Sequence, residues 1–182
     1  MRRIVLGICV LAAACGGKGL DSPTSPTSAA SSAAQTHAQG GTVLPFSGSY
    51  TFTTAATFNC PPTCPPTIFV STGALTGTAT HLGQFTGTSV DNVDIAAATS
   101  TGTLRLTAAN GDQLFATTAG GEDQFVPPNV SHVTLVATIS GGTGRFADAT
   151  GTFTIRFIQT IDFVAATSNG PGSFEGQISL NK

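Results

Sequence analysis

Residues 152–163 read TFTIRFIQTIDF. Phe153, Ile155, Phe157, Ile161 and Phe163 share one parity, interrupted by Gln159. Thr152, Thr154, Arg156, Thr160 and Asp162 take the other. Successive side chains of a strand point to opposite faces, so this period of two predicts a strand buried on one side. The same alternation extends outward from the stretch. Phe174, Gly176, Ile178 and Leu180 alternate with Ser173, Glu175, Gln177 and Ser179. Upstream, Val133, Leu135, Ala137 and Ile139 alternate with His132, Thr134, Val136 and Thr138. Leu104 and Leu106 flank Arg105, and Tyr50, Phe52 and Phe58 fall on one parity of an earlier run. Further strands are expected over 67–80, 84–95 and 113–118.

Turn signals separate these runs. Asn110-Gly111-Asp112 predicts a type I′ hairpin, because Asn-Gly readily takes positive φ. His81-Leu82-Gly83 predicts a tight connection, and Asn169-Gly170-Pro171-Gly172 another break. No segment carries a helical period with caps. About eight strands joined by short turns predict an all-β sandwich or an up-and-down antiparallel barrel. Closure removes exposed edges and favours a single eight-stranded barrel over 42–182. Gly73, Gly77 and Gly87 inside strands allow sharp bending or packing over bare backbone.

Composition narrows the function classes. Of 182 residues, 9% are charged, against roughly 25% in an average soluble domain. The net charge of -2 excludes a strongly charged disordered tail. The seven Lys and Arg are scattered, which argues against nucleic acid as a partner. The chain lacks the Glu, Lys and Leu of a coiled coil and is rich instead in Thr, with 22 Gly and 12 Phe.

The chain starts with Met1, Arg2 and Arg3, followed by an apolar run from Ile4 to Ala14. That run is shorter than the ~20 residues a membrane-spanning helix needs. A charged start, a short apolar run and small residues at its end predict a signal peptide over 1–14. Leu11-Ala12-Ala13-Ala14-Cys15-Gly16 resembles the lipobox of bacterial lipoproteins. The resemblance implies a fatty-acylated Cys15 as first mature residue and a lipid-anchored protein of the bacterial cell envelope. This sequence departs from the pattern by placing Ala12 where the family prefers Leu, with Leu11 one step earlier. Ordinary cleavage after Ala14, and hence secretion, is the alternative. Cys9 would be discarded with the leader. Residues 15–41 are expected to form a flexible linker. From Asp21 to Gly41 they hold no Val, Ile, Leu or Phe with which to offset the entropy of ordering. His37 within it is read as solvated.

Between two strong strands lies ISGGTGRFADATG, residues 139–151. Its pattern, I-x-G-G-T-G-x-F-x-x-A-x-G, resembles the glycine-rich connection of the allene oxide cyclase and dirigent β-barrels, above all their bacterial relatives. Residues 78–85, TATHLGQF, are similar to a hairpin of the same sequences. The resemblance spans Phe46 to Leu180 and implies an eight-stranded barrel with an apolar lumen. The acidic and basic pocket groups of its characterised members match no position here, so catalytic residues stay unknown. The glycines suit a turn needing positive φ, and Phe146 is placed to plug one barrel end. A phosphate cradle would need a helix and a Lys directly after the glycines, whereas Thr150-Gly151 leads into a strand. Arg145 and Asp148 are expected to pair at the surface.

Chemical candidates are few. Cys60 and Cys64 sit in NCPPTCPP, residues 59–66, and in an exported chain predict an intrachain disulfide. So short a closed loop contributes about 2 kcal/mol. No further Cys or His stands near enough in sequence for a metal site, and no helix start is there to activate a redox thiol. His81 and His132 are read as solvated, and no G-x-S-x-G elbow is present. Asp91 and Asp94 flank Asn92 without completing a calcium loop. Glu122-Asp123 beside Gly120-Gly121 reads as an exposed loop. Arg156 and Asp162 are expected on a solvated outer face, with a lumen position as the alternative. No cofactor or metal is implied. The expected function is a lipid-anchored, non-catalytic binding or surface module, with an apolar small molecule as candidate ligand. The alternative is an isomerase- or cyclase-like enzyme working in the lumen. A lumen packed with Phe and Leu would favour a scaffold; an open one holding a buried Arg, Asp or His would favour the enzyme.

Overall fold

The computed structural model describes residues 41–58, 68–94, 96–97 and 99–181. Cys15, Cys60, Cys64, the leader and nearly all of the expected linker lie outside the described residues. Eight strands follow in chain order: β1 Thr42–Phe58, β2 Ile68–Ala79, β3 Gly83–Asp94, β4 Thr99–Ala108, β5 Gln113–Val126, β6 Val130–Gly142, β7 Thr150–Asp162 and β8 Thr167–Leu180. Each pairs antiparallel with the next, and β8 pairs with β1, so the sheet closes into a barrel. This is the all-β, eight-stranded architecture that the alternation predicts.

The strands run up and down, which sorts their connections to two ends. The β2–β3, β4–β5 and β6–β7 turns share one end with the start of β1 and the finish of β8. The other end is reached by the outgoing ends of β1, β3, β5 and β7. Outward positions are dominated by threonine, as in the cross-strand row Thr51, Thr76, Thr86 and Thr107. Inward positions are apolar through the first end and the middle. A β-branched hydroxyl residue fits a pleated, solvated face, and its partner parity fills the core.

The turn-bearing end is closed by side chains. Leu82 folds in from the β2–β3 turn and Phe146 from a 3₁₀ turn over Gly144–Phe146. Phe46, Leu114, Phe146 and Ile178 are all essentially inaccessible to solvent. The Phe46 ring centroid lies 5.2 Å from that of Phe153, edge-on, and 4.9 Å from that of Phe174. Each such side chain contributes roughly 1.5–3 kcal/mol through burial alone.

Several expectations are corrected. The Asn110-Gly111 turn is not type I′: of its residues Gly111 alone has positive φ, at +90°. The Gly111 N–H donates to the Ala108 carbonyl and the Ala108 N–H to that of Asp112. That is a three-residue connection closed by a left-handed glycine. The expected break at Asn169-Gly170-Pro171-Gly172 lies inside β8. Pro171 has no N–H, and the β7–β8 pairing skips from Phe157–Gly172 to Thr160–Asn169 there. Pairing with β1 nonetheless runs through all four residues. The chain instead reverses over residues 163–166, where the Asp162 carboxylate accepts the N–H groups of Val164 and Ala165, both at 2.9 Å. Phe163 therefore leaves the buried parity and is 66% exposed. Gly120 to Asp123 is not a loop either. It continues β5 across a bulge, with the register against β6 shifting between Ala119 and Glu122. Finally, Arg145 pairs with Asp112, at 3.6 Å, instead of Asp148.

Candidate functional site

Toward the other end the inward faces change chemistry. Ser71, Ser89, Asp91, Val133, Phe157 and Gln159 are half-buried, and Thr118, Ser131 and Ser168 are buried, whereas the closed end holds buried Phe46, Leu114, Phe146 and Ile178 with half-buried Leu44, Ala79 and Leu180 packed against them. Three polar groupings line this half. In the first, the Thr118 hydroxyl of β5 donates to Asp91 Oδ1 of β3 at 2.9 Å, and Ser89 also hydrogen-bonds this carboxylate. Asp91 lies across the β3–β4 ladder from Gly102. A Cβ at residue 102 would sit 2.8 Å from the carboxyl carbon, so the carboxylate rests on bare backbone. Ser71 of β2 is the partner of Asp91 on its other side.

Tyr50 of β1 points into the same space and is paired with Gly77 of β2 and Gly172 of β8. The missing side chains at both neighbours leave room for its ring. Burial raises the Asp91 carboxyl above the usual carboxylate range, against the opposing pull of the Thr118 and Ser89 hydrogen bonds. The Tyr50 phenol is raised well above its ordinary value by burial and then by the nearby Asp91 charge. Both groups thus hold their protons more tightly than they would in water.

The second grouping joins β1, β7 and β8. Ser168 donates to Gln159 Oε1 at 2.9 Å, which leaves its oxygen to accept from the Thr54 hydroxyl at 2.7 Å. Gln159, the interruption in the apolar parity of β7, is therefore a lumen group. In the third grouping the fully buried Ser131 hydroxyl donates to the Asp123 carboxylate. No buried side-chain nitrogen or oxygen among the described residues lacks a partner.

Aromatic rings stand above these groups. Phe58 of β1 and Phe69 of β2 are opposite one another with centroids 5.5 Å apart. Phe125 of β5 meets Phe163 of the β7–β8 turn at 6.4 Å. Phe58 and Phe69 continue the inward parity of their strands, and the β5 bulge turns Phe125 to the inward side opposite Ser131, so two ring pairs flank the mouth. Val164 beside Phe163 is 98% exposed.

Most of the other sequence candidates lie away from this site. Asp94 points outward and accepts the Ala97 N–H at 3.0 Å, so it diverges from Asp91 and the two do not form a cation site. No group of three or more His, Cys, Asp or Glu able to hold a metal occurs among the described residues. Arg156 is on the outer face, paired with Glu175 at 2.7 Å, and Asp162 caps the turn. His81 is at the closed end against the Pro45 carbonyl, and His132 is exposed on β6. Two shallow grooves lie on the outer face, one of about 470 Å³ over β1, β2 and β8 beside Thr51, Thr76 and Pro171, and one of about 390 Å³ over β1 and β2 beside Ser49 and Thr78, and neither holds a titratable group. Sequence reasoning missed Tyr50, Ser89, Asp91, Thr118 and Gln159 as a set. The available signal was polar residues standing on otherwise apolar parities.

No protein-family model and no curated protein matches the sequence. Among solved structures, the chain is similar to a pterocarpan synthase dirigent protein, with 12% identity, 79% of this chain and 91% of that chain covered, and a TM-score of 0.45.

Proposed function

We propose that this barrel is a non-catalytic binding module that admits a small, largely apolar molecule into its polar-lined half. One observation carries the reading. The inward residues pass from apolar Phe, Leu and Ile at one end to polar groups at the other, of which Ser71, Ser89, Asp91 and Gln159 are only half-buried, with two pairs of Phe rings beyond them. Binding sites are commonly concave, mostly apolar, and oriented by a few convergent polar groups. The test uses the full chain and the uncharged fluorophore N-phenyl-1-naphthylamine. Its emission should rise on saturable binding, and Ser71→Phe, which fills the space beside Asp91, should abolish the rise. No binding to the wild type, or equal binding to the variant, contradicts the proposal.

Asp91 favours one second reading, an isomerase- or cyclase-like enzyme. A carboxyl whose hold on its proton is strengthened by burial, beside a phenol, is a candidate proton donor to a bound molecule. The two readings separate on the fate of a bound compound. Recovery of the compound unchanged supports the module, and a chromatographically distinct isomer supports the enzyme.

The lipobox-like stretch supports attachment to the bacterial envelope through Cys15, with secretion the alternative. Fatty-acid labelling should be lost in Cys15→Ser; equal labelling of both proteins, or of neither, contradicts the anchor. The exported setting also supports a Cys60–Cys64 disulfide, which would appear as a peptide two hydrogens lighter than its dithiol. Two freely alkylated thiols would refute it.

A further inference from the structure

The geometry points to a ligand that carries a cationic nitrogen on an apolar body, a hydrophobic amine whose ammonium group pairs with Asp91. This rests on the reading of the lumen as a binding site and names the chemistry that the site selects. Asp91 is the acid set deepest in the polar half, and its neighbours supply no positive charge. From β1 it is faced by Tyr50, from β2 by Ser71, from β4 by Gly102 and from β5 by Thr118. Among the described residues no Lys, Arg or His points into the lumen. Arg105 lies over the outward Phe115 ring, Arg156 pairs with Glu175, and His132 is exposed on the outer face. Arg145 and His81 belong to the closed end.

The mouth has the same sign. Asp94, Glu122, Asp123 and Asp162 all lie toward that end of their strands. Phe58, Phe69, Phe125 and Phe163 supply ring faces, which attract cations as well as apolar surface. A buried carboxylate without a countercharge is costly, and a ligand ammonium removes that cost on binding. A neutral molecule of the same shape gains the apolar contacts and hydrogen bonds but not the ion pair. An anion meets repulsion at the mouth and again at Asp91.

Three fluorescent probes of one shape test this on the full chain at pH 7 and physiological salt: 1-naphthylmethylamine, 1-naphthylmethanol and 1-naphthoate. The amine should bind at least about tenfold tighter than the alcohol, and the naphthoate weaker than either. Asp91→Asn keeps an acceptor for Thr118 and Ser89, and should bring amine and alcohol within about twofold of each other. Ser71→Lys places a cation opposite Asp91 and should likewise erase the amine's advantage, with folding of both variants checked by circular dichroism. Equal binding of amine and alcohol to the wild type, or an amine preference that survives both substitutions, overturns this inference and leaves lumen binding standing. Failure of all three probes to bind overturns lumen binding as well.

Discussion

The two ends of this barrel are built from the same alternation and put to different use. At the closed end, turns as well as strands send apolar groups inward. Leu82, Phe46, Leu114, Phe146 and Ile178 are buried there, with Leu44, Ala79 and Leu180 partly buried against them. At the mouth, the same inward parity holds Thr54, Ser71, Ser89, Asp91, Gln159 and Ser168, with two pairs of Phe rings beyond them. One end supplies stability, and the other carries polar groups and a desolvated acid that a purely structural core would not need. Sites of this kind usually reduce stability locally and are supported by packing elsewhere.

That division predicts a steep gradient of mutational effects. Phe46→Ala removes a ring packed against Phe153 and Phe174 and should cost about 3–5 kcal/mol in urea unfolding. Phe125→Ala, at the mouth, should cost less than about 1 kcal/mol. Similar values for the two would erase the distinction between the ends. Gly144→Val comes next. Its φ is +55°, and a Cβ there would run into the Asp112 carboxylate that pairs with Arg145. A loss of about 1–3 kcal/mol is expected, and an unchanged denaturation midpoint would show that the 3₁₀ connection does not hold the plug.

Asp91→Asn should act in the opposite direction. The folded carboxyl binds its proton more tightly than the unfolded one, whose ordinary value is 3.8. Stability linked to this proton is fully present below that value and is lost as pH rises through the folded pKa. Above its folded pKa the wild type bears a charged, desolvated carboxylate, and Asn never does. The variant should melt at the same temperature as wild type below pH 3.8 and progressively higher than it as pH rises from there. A variant less stable at pH 7 would mean that Asp91 is not desolvated. The smallest effect belongs to Arg156→Ala. Its partnership with Glu175 is solvent-exposed on both sides, so about 0–1 kcal/mol is expected, falling further in high salt.

The sequence makes the closed end far more legible than the mouth. Phe153, Ile155, Phe174 and Ile178 announce their face by parity, and the Gly141–Gly144 connection with Phe146 announces a plugged turn. Parity fails where a strand ends or bulges. Phe163 keeps the right spacing but lies past the end of β7, because Asp162 caps a turn that composition does not mark. The bulge at Gly120-Gly121 lets β5 run on to Val126 through residues that look like loop. Gly170, Pro171 and Gly172 look like a break, yet here they interrupt one ladder and leave the other intact. Asp91 illustrates the remaining difficulty. Beside Asn92 and Asp94 it suggests a cation site, and only the pairing of β3 with β4 turns it inward over Gly102. Register between distant strands, which sets the site, is not encoded in any one stretch.

The central claim is that the lumen is sealed at one end and receptive at the other. Backbone amide shifts in an NMR titration with 1-naphthylmethanol test it most directly. The account predicts that perturbations cluster at Ser71, Ser89, Asp91, Gly102 and Thr118, with Phe46, Leu114, Phe146 and Ile178 unmoved. Perturbations centred on the closed end, or on the outer grooves at Thr51 and Thr76, would contradict it.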